Sequence, residues 1–310
     1  MNDTISEFRL ADWSALQLAR VEQALNCWVA CPVNEPIPAG LGDAMRYAVL
    51  DGGKRLRPLL VLAACEAVNG SPQAALRAAC AVELIHAYSL VHDDMPCMDN
   101  DVLRRGKPTV HIKFGEAQAL LAGDALQALA FEFLTPDDNT VPAATQAQLC
   151  RMLACAAGGQ GMAGGQAIDL ASVGLPLTSE QLHDMHRLKT GALLQASVLM
   201  GATCGAASAH VMNALRDYGA VIGLAFQVVD DILDVTADSA TLGKTAGKDA
   251  AQDKPTFVSL MGLEASKEYA QQLLARALAS VKTIDALQSD GLQSTHALHA
   301  LADMLVNRTH

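Results

Sequence analysis

Apolar residues recur at spacings of three and four along almost the whole chain. Alternating β-branched segments, which are typical of strands, are nearly missing, so the pattern predicts an all-α protein. Helices are predicted near residues 12–30, 40–50, 56–69, 73–94, 110–134, 142–171, 179–204, 208–234, 256–283 and 291–307. Proline and glycine clusters separate these segments, but no long linker divides them. We therefore expect a single helical domain over residues 1–310.

Composition and charge narrow the class of protein. Apolar residues make up 51% of the chain and charged residues only 18%, which fits a thick helical core. The net charge of −11 argues against nucleic acid as a partner, because phosphate backbones require a broad basic surface. The first residues contain neither the basic segment nor the apolar run of a signal peptide, so we expect a cytoplasmic protein.

One uncharged stretch, residues 191–215, is long enough to raise the question of a membrane span. It contains several polar side chains, and Gly201 and Gly205 mark a break inside it. We interpret it as two buried helices and expect no transmembrane segment.

Two apolar helices end in paired aspartates. Residues 87–94 read AYSLVHDD, residues 225–231 read AFQVVDD, and each segment is followed by a further aspartate. The acids are Asp93, Asp94 and Asp99 in the first motif, and Asp230, Asp231 and Asp234 in the second. Clustered carboxylates repel one another unless a cation is present, and hard oxygen ligands suit Mg²⁺, which completes its shell with substrate phosphates. The sequence therefore predicts a magnesium site for a phosphorylated ligand.

Local geometry brings each motif together. Pro96 disfavours helical backbone at Met95, so the chain is expected to bend and return Asp99 towards Asp93. In the second motif the polar residues three and four apart share one helix face. That face carries Gln227, Asp230, Asp231 and Asp234.

A basic segment supplies the opposite charge. Residues 52–58 read GGKRLRP and place two glycines before three cations at the start of a predicted helix. Glycine permits close backbone approach to an anion, and a helix N-terminus favours negative charge, so the segment predicts a diphosphate site. His86 precedes Asp93 by seven residues, about two turns, and is expected to contact the ligand from the same helix face.

Taken together, these motifs resemble the short-chain trans-prenyl diphosphate synthases, and most closely the bacterial farnesyl diphosphate synthase type. The resemblance rests on residues 52–58, 93–99, 103–106, 189–191 and 226–234 and covers nearly the whole chain. Asn100 and Val102 stand where this family often has acids. The resemblance implies a helical bundle of the isoprenoid synthase type around a central cavity, assembled as a homodimer. It also implies head-to-tail condensation of isopentenyl diphosphate with dimethylallyl or geranyl diphosphate.

The same resemblance implies roles for individual residues. Three Mg²⁺ ions, for which Mn²⁺ can substitute, would be held by Asp93, Asp99 and Asp230, with Asp94, Asp231 and Asp234 acting nearby or through water. The allylic diphosphate would be bound by Arg104, Lys189 and Lys244, in a site lined by Thr190, Gln227 and Lys254. Of these, the candidate catalytic residues are Lys189, Thr190, Gln227 and Lys244. Isopentenyl diphosphate would be bound by Gly53, Lys54, Arg57, His86 and Arg105.

Product length is expected to depend on residues just before the first aspartate motif. Tyr88 and Ser89 precede Asp93 by five and four residues, and the resemblance implies that an aromatic residue at the first position forms a floor that stops chain growth. The small Ser89 leaves room for a product of fifteen carbons, farnesyl diphosphate. Geranyl or geranylgeranyl diphosphate synthesis is the alternative, and the sequence leaves the preferred allylic substrate open.

Two Glu-x-x-His pairs in the sequence match a different class of protein. Glu83-x-x-His86 and Glu180-x-x-His183 match the spacing found in di-iron carboxylate bundles. Glu180 follows Thr178 and Ser179 and is more simply an acid in the first turn of a helix. The di-iron interpretation also leaves both aspartate motifs without a role.

Overall fold

The structure is a computed structural model that describes residues 8–30, 37–50, 52–175, 177–236, 256–287 and 295–308. Within these ranges the fold is all-α, as predicted, apart from one short antiparallel hairpin between Leu103–Arg104 and Lys107–Pro108. The first seven helices are α1 Leu10–Trp28, α2 Leu41–Val49, α3 Leu56–Glu66, α4 Pro72–Asp93, α5 Val110–Phe114, α6 Glu116–Leu134 and α7 Ala143–Ala157. The others are α8 Met162–Ala171, α9 Ser179–His186, α10 Ala192–Thr203, α11 Ala209–Thr236, α12 Phe257–Met261, α13 Leu263–Leu287 and α14 His296–Val306.

Local sequence explains where the central helices begin. Helix α4 starts at Pro72, whose missing N–H costs nothing in the first turn, and the Ser71 hydroxyl caps it by accepting a hydrogen bond from Ala74 N. Helix α9 starts with a capping box in which Thr178 and Gln181 bond each other's backbone N–H. Glu180 therefore lies in a first turn, where its charge complements the helix dipole.

Four predicted helices are interrupted in the structure. Gly115 divides the 110–134 segment and Gly262 the 256–283 segment, with φ of 89° and 85°, values that helical backbone does not adopt. The 142–171 segment is broken by the glycine-rich turn at residues 158–161. The 179–204 segment contains a π-helical turn, Arg187–Gly191, between α9 and α10. Hydrophobic periodicity continues through these breaks, and for that reason it does not reveal them.

The core has two apolar clusters that meet along α3 and α10. One cluster is built mainly from α1, α2, α4, α6 and α7, and the other from α3, α10, α11, α13 and α14. The glycine-rich run at residues 158–166 allows close helix approach, because a Cβ on Gly165 would collide with the backbone nitrogen of Lys189. This contact places α8 directly against the π-helical turn.

Helix α4 is the core of the first cluster. Among the described residues it alone is long and apolar enough, by length and composition, to cross a membrane, and 72% of its most apolar window is buried inside the fold. Burial of this kind is typical of a central core helix. The absence of a transmembrane segment stays a prediction.

Candidate active site

The first aspartate motif lies where α4 ends. The backbone N–H of Asp99 donates to the carbonyl of Asp93 at 2.8 Å, and that of Met98 donates to Met95 at 2.9 Å. The turn that begins before Pro96 thus returns Asp99 to Asp93, as the sequence predicted. Two carboxylates of the motif share one end of the helix.

The electrostatics of Asp93 favour a bound cation. The pKa of its carboxyl is raised from 3.8 to about 6, mainly by burial and also by the charges of Asp99 and Asp94, against the opposing effect of Lys189 and Arg104. A divalent cation would remove this penalty by neutralising the cluster. Asp93 therefore has the environment expected of a metal ligand.

Asp94 and Arg104 are paired with each other in the structure. Arg104 Nε donates to both carboxylate oxygens of the buried Asp94 at 2.9 Å. The pair holds the hairpin that follows the motif against the end of α4. The expected roles of Asp94 near the metal and of Arg104 at the allylic diphosphate stay predictions.

The π-helical turn brings two predicted catalytic residues into the site. Lys189 Nζ donates to Asp169 Oδ2 of α8 at 2.6 Å, and the hydroxyl of Thr190 donates to Gln227 Oε1 of α11 at 3.3 Å. The charge of Lys189 also acts on Asp93 of α4. Three helices therefore converge on this turn, which is where an anion between them would be bound.

The Asp231 carboxylate accepts hydrogen bonds from two neighbouring residues and so fixes their positions. Its Oδ1 accepts a hydrogen bond from Gln227 Nε2 at 2.8 Å, and its Oδ2 accepts one from the backbone N–H of Phe257 at 2.8 Å. The carboxylate is buried, with an exposed fraction of 2%. The structure therefore gives Asp231 an orienting role towards Gln227, and its position near the metal stays a prediction.

The other two acids of the second motif differ in their surroundings. Asp230 is half-buried, and its carboxylate lies 3.6 Å from the guanidinium of Arg308. Asp234 is buried, and its Oδ1 has no hydrogen-bond partner among the described residues. An unsatisfied buried carboxylate oxygen beside a second acid is consistent with a site that a hydrated cation completes.

Arg308 is a site residue that sequence reasoning missed. Its guanidinium lies over the Phe226 ring, 4.4 Å from the centroid, and donates to the Phe226 carbonyl at 3.3 Å. Its charge also lowers the pKa of Lys54. Arg308 follows the last helix outside any motif, so the sequence contains no signal that would place it beside α11.

The predicted cation cluster is brought together around the two glycines. Arg105 Nη1 donates to the Gly52 carbonyl at 2.8 Å, and a Cβ on Gly53 would lie only 2.6 Å from the same nitrogen. Gly53 is therefore required for Arg105 to lie against the loop. Lys54, from the same loop, has its pKa lowered mainly by burial, with Asp230 opposing the shift. The loop therefore lies within electrostatic range of the second aspartate motif.

Arg57 and His86 complete a desolvated basic group. Burial lowers the pKa of Arg57 to about 10, and its buried Nε has no hydrogen-bond partner among the described residues. Burial and the charges of Arg57 and Arg105 lower the pKa of His86 well below its ordinary value. Such a concentration of cations is unfavourable unless an anion binds there.

Arg55 does not belong to this basic group, although it stands in the middle of the basic segment. Its guanidinium points inward and donates to Glu83 at 2.6 Å, to Glu22 at 2.7 Å and to the Val49 carbonyl at 2.6 Å. Glu83 is therefore committed to Arg55, which removes it from the di-iron interpretation. Glu180 is exposed in its first turn and supplies no second ligand.

The proposed metal ligands fit Mg²⁺ only together with a substrate. Among the described residues, no group of three or more His, Cys, Asp or Glu side chains could hold a metal ion by itself. Asp93, Asp99 and Asp230 supply oxygen donors at two helix ends, and substrate phosphates would supply the rest of the shell. Lys244 and Lys254, which were also predicted to be in the site, lie outside the described residues.

The predicted floor residues lie on α4 above Asp93. Tyr88 is buried, its ring meets that of His92 edge-on with centroids 5.7 Å apart, and burial raises the pKa of its hydroxyl against the opposing effect of the Gln127 side chain of α6. The Ser89 hydroxyl donates to the His86 carbonyl at 2.9 Å within the same helix. Tyr88 is thus a buried residue of α4 beside α6, and its role in product length stays a prediction.

The class that this fold and site define is that of helical prenyltransferases, and comparison with known proteins supports it. A family described as "Polyprenyl synthetase" matches residues 38–290. A probable farnesyl diphosphate synthase of Sinorhizobium fredii is 51% identical over 269 residues, 86% of this chain and 80% of that protein. Geranylgeranyl pyrophosphate synthase 4 of Arabidopsis thaliana is 47% identical over 284 residues, 91% of this chain and 74% of that protein.

Solved structures show the same relationship. An FPP/GFPP synthase from Zymomonas mobilis superposes with a TM-score of 0.82 at 40% identity, covering 96% of this chain and 98% of that one. A geranyltransferase from Legionella pneumophila gives a TM-score of 0.84 at 35% identity, covering 97% of each chain. The chain belongs to the polyprenyl synthetase family and is a prenyltransferase.

The charge of Asp93 is expected to destabilise the metal-free protein. Because the folded-state pKa of about 6 exceeds the ordinary value of 3.8, the contribution of Asp93 to stability is most favourable below pH 4 and is lost as the pH rises through 6. Asp93→Asn removes this charge, so it is expected to stabilise the metal-free protein by about 1–3 kcal/mol at pH 8 and by much less near pH 4. Thermal unfolding in EDTA at both pH values measures the difference; equal shifts would contradict the prediction.

Proposed function

We propose that the chain condenses isopentenyl diphosphate head to tail with dimethylallyl or geranyl diphosphate, with Mg²⁺ bound, and that its main product is farnesyl diphosphate. The observation that carries this proposal is the presence of two charged regions. One contains the aspartate-rich helix ends with Lys189, and the other contains Arg57, Arg105 and His86. A reaction between two diphosphates requires two such regions. Relatives named for farnesyl and for geranylgeranyl products are both found, so the fifteen-carbon product is the finer part of the proposal.

The geometry supports a mechanism in which the protein positions charge and supplies no nucleophile. When bound, Mg²⁺ would neutralise the leaving diphosphate. Lys189 is placed to bind that diphosphate as the allylic carbon–oxygen bond breaks and the electron pair leaves with oxygen. The isopentenyl double bond then attacks the allylic cation, and a proton passes to the released diphosphate. Thr190 and Gln227 present oxygen atoms that would steady the positive charge.

Substitutions in the two charged regions are expected to affect different substrates. Arg57→Ala is expected to raise the KM for isopentenyl diphosphate by about 10-fold or more while changing the KM for the allylic substrate little, because it removes a charge-assisted contact in one region only. Lys189→Ala is expected to show the reverse pattern. Initial rates with each substrate varied separately provide the measurement.

Arg151→Ala is a suitable control for these kinetics, because Arg151 is exposed on α7 and lies in neither region. It is expected to leave both KM values unchanged. Equal effects of Arg57→Ala on both substrates would refute the assignment of separate regions. Lys54→Ala should behave as Arg57→Ala does.

Assembly and location are further parts of the proposal. A homodimer is supported by apolar side chains that are exposed on α5 and α6, since Ile112, Leu120 and Leu121 have exposed fractions of 52%, 47% and 50%. A cytoplasmic location is supported by the described cysteines, which are all free thiols. Light scattering of the purified protein tests the first, and cell fractionation tests the second.

A further inference from the structure

A cavity lies along the partly exposed face of α10, and no residue of the two aspartate motifs lines it. Its volume is about 560 Å³, within the usual range of small-molecule sites. Its walls are α7, the region of α9, α11 and α13, and the outer face of α10 forms its floor. None of the described residues assigned above to substrate or metal lines it. We call it the α10 groove.

The lining of the α10 groove combines an apolar floor with cationic groups. The apolar part is formed by Leu188, Leu199, Val221, Leu224 and Tyr269, among others. The polar part is formed by Gln160, His183, Arg187, Gln195 and Arg276. No Asp or Glu is among the residues that line it, although acids outnumber basic residues in the chain, 33 to 22. Side chains of this kind suit a ligand with an apolar chain and an anionic head.

The two arginines of the groove differ in their contacts. Arg187 Nε donates to the exposed carboxylate of Asp184 at 3.1 Å. The side chain of Arg276 is exposed on α13 and makes no ion pair or hydrogen bond with any described residue. Arg276 is therefore available to an anionic head group without breaking an existing contact.

The groove touches the backbone that carries the candidate catalytic residues. Leu188 and Gly191, which line it, flank Lys189 and Thr190 in the π-helical turn. The turn packs tightly against α11, because a Cβ on Gly223 of α11 would lie only 2.8 Å from the Gly191 Cα. The turn therefore cannot move towards α11. A ligand that contacts Leu188 would therefore act on the backbone that positions Lys189 and Thr190. π-Helical turns often occur at functional sites.

We propose that the α10 groove binds an amphipathic anion, with a prenyl diphosphate as its occupant, and that its occupancy changes turnover at the aspartate site. The apolar chain lies along α10, and the phosphate head is bound by Arg276. The identity of the occupant rests on the proposed function, because a prenyl diphosphate is what the active site is proposed to make. The existence of a site for a long-chain phosphate does not depend on it.

The test begins with equilibrium binding to the metal-free protein in EDTA. Farnesyl phosphate and dodecyl phosphate, titrated below their micelle concentrations, provide the same head on two different tails. Arg276→Glu reverses the charge at the head, and Ala220→Trp fills the groove from an exposed position on α11. Lys282→Glu is the matched control, because Lys282 is exposed on the same helix and does not line the groove.

We expect both groove variants to weaken binding of farnesyl phosphate by about 10-fold or more, and the control to leave it unchanged. Tighter binding of farnesyl than of dodecyl phosphate would support a prenyl occupant. Equal or tighter binding of dodecyl phosphate would overturn that assignment. Equal affinity of either probe for all four proteins would overturn the site itself. A change in oligomeric state caused by Ala220→Trp would show that a second chain occupies the groove, and would also overturn it.

Turnover supplies the second measurement. With both substrates saturating, dodecyl phosphate is expected to change the kcat of the unsubstituted enzyme and to have at least about a 5-fold smaller effect on Arg276→Glu. An effect that is seen at low substrate concentrations and disappears at saturation would mean that the probe competes at the active site, and would contradict the proposal. The equilibrium binding measurement does not require an active enzyme. A protein that fails to condense the two diphosphates would therefore refute the proposed function, and the binding result would still test the groove.

Discussion

Asp93→Ala is expected to lower kcat by at least about 10²–10³-fold while leaving the far-ultraviolet circular dichroism of the folded protein unchanged. Asp93 lies at the end of α4, where its carboxylate is partly buried beside Asp99 and Asp94. This geometry concentrates negative charge where metal ions would bridge to a leaving diphosphate. Asp230→Ala should have a loss of similar size, because Asp230 provides the corresponding carboxylate on α11. Turnover at saturating Mg²⁺ measures both.

A control for this prediction is available on the same helix. Asp217 is exposed on α11, more than three turns before Asp230, and Asp217→Ala is expected to leave turnover unchanged. Near-normal turnover of Asp93→Ala or Asp230→Ala at saturating metal would remove the corresponding residue from the metal site. A loss of helical signal would show a structural role instead.

Tyr88→Ala is expected to shift the main product from fifteen carbons to twenty or more. Tyr88 precedes Asp93 by five residues on α4, which is about 7.5 Å at about 1.5 Å per residue. Its ring is buried between His92 and the Gln127 side of α6, so removing it opens space where the growing tail should arrive. Ser89→Phe is expected to shift the product towards ten carbons by filling space one residue closer to the metal site. Chromatography of the dephosphorylated products measures both.

Tyr88→Phe distinguishes the effect of the ring on product length from the effect of the hydroxyl group. It removes only the hydroxyl group, which lies near Gln127, and keeps the bulk of the side chain, so the product length is expected to remain that of the unsubstituted enzyme. If both Tyr88→Ala and Ser89→Phe are active and their products are unchanged, the floor lies elsewhere. A shift in Tyr88→Phe equal to that in Tyr88→Ala would assign product length to the hydroxyl group.

Much of the fold could be predicted because the helical periodicity is strong and uninterrupted by strands. Capping signals were informative as well, and Thr178 begins α9 as its position suggested. The breaks at Gly115 and Gly262 could not be placed, since a single glycine is compatible with both a helix interior and a helix end. The π-helical turn at residues 187–191 has no local sequence signature, because it depends on packing between α8 and α11.

The candidate site was predictable where motifs were close in sequence, and less so where distant residues meet. Pro96 signalled the turn that returns Asp99 to Asp93, and the structure contains it. The pairing of Asp94 with Arg104 was missed, because a sequence shows which charges exist but not which of them neutralise each other. Arg308 was missed for the related reason that its approach to Asp230 depends on how α14 packs.

The inward position of Arg55 affects how sequence variation in the basic segment should be understood. Its contacts reach α1, α4 and the end of α2, and its backbone has a φ of 45° at the start of α3. Replacing it would leave the carboxylate of Glu83 buried without a partner, which typically costs about 3–5 kcal/mol. A defect there would reduce the amount of folded protein in cells and not the affinity of the surviving enzyme for substrate. Two neighbouring arginines in one motif, Arg55 and Arg57, are therefore expected to give different defects, one in abundance and one in kinetics.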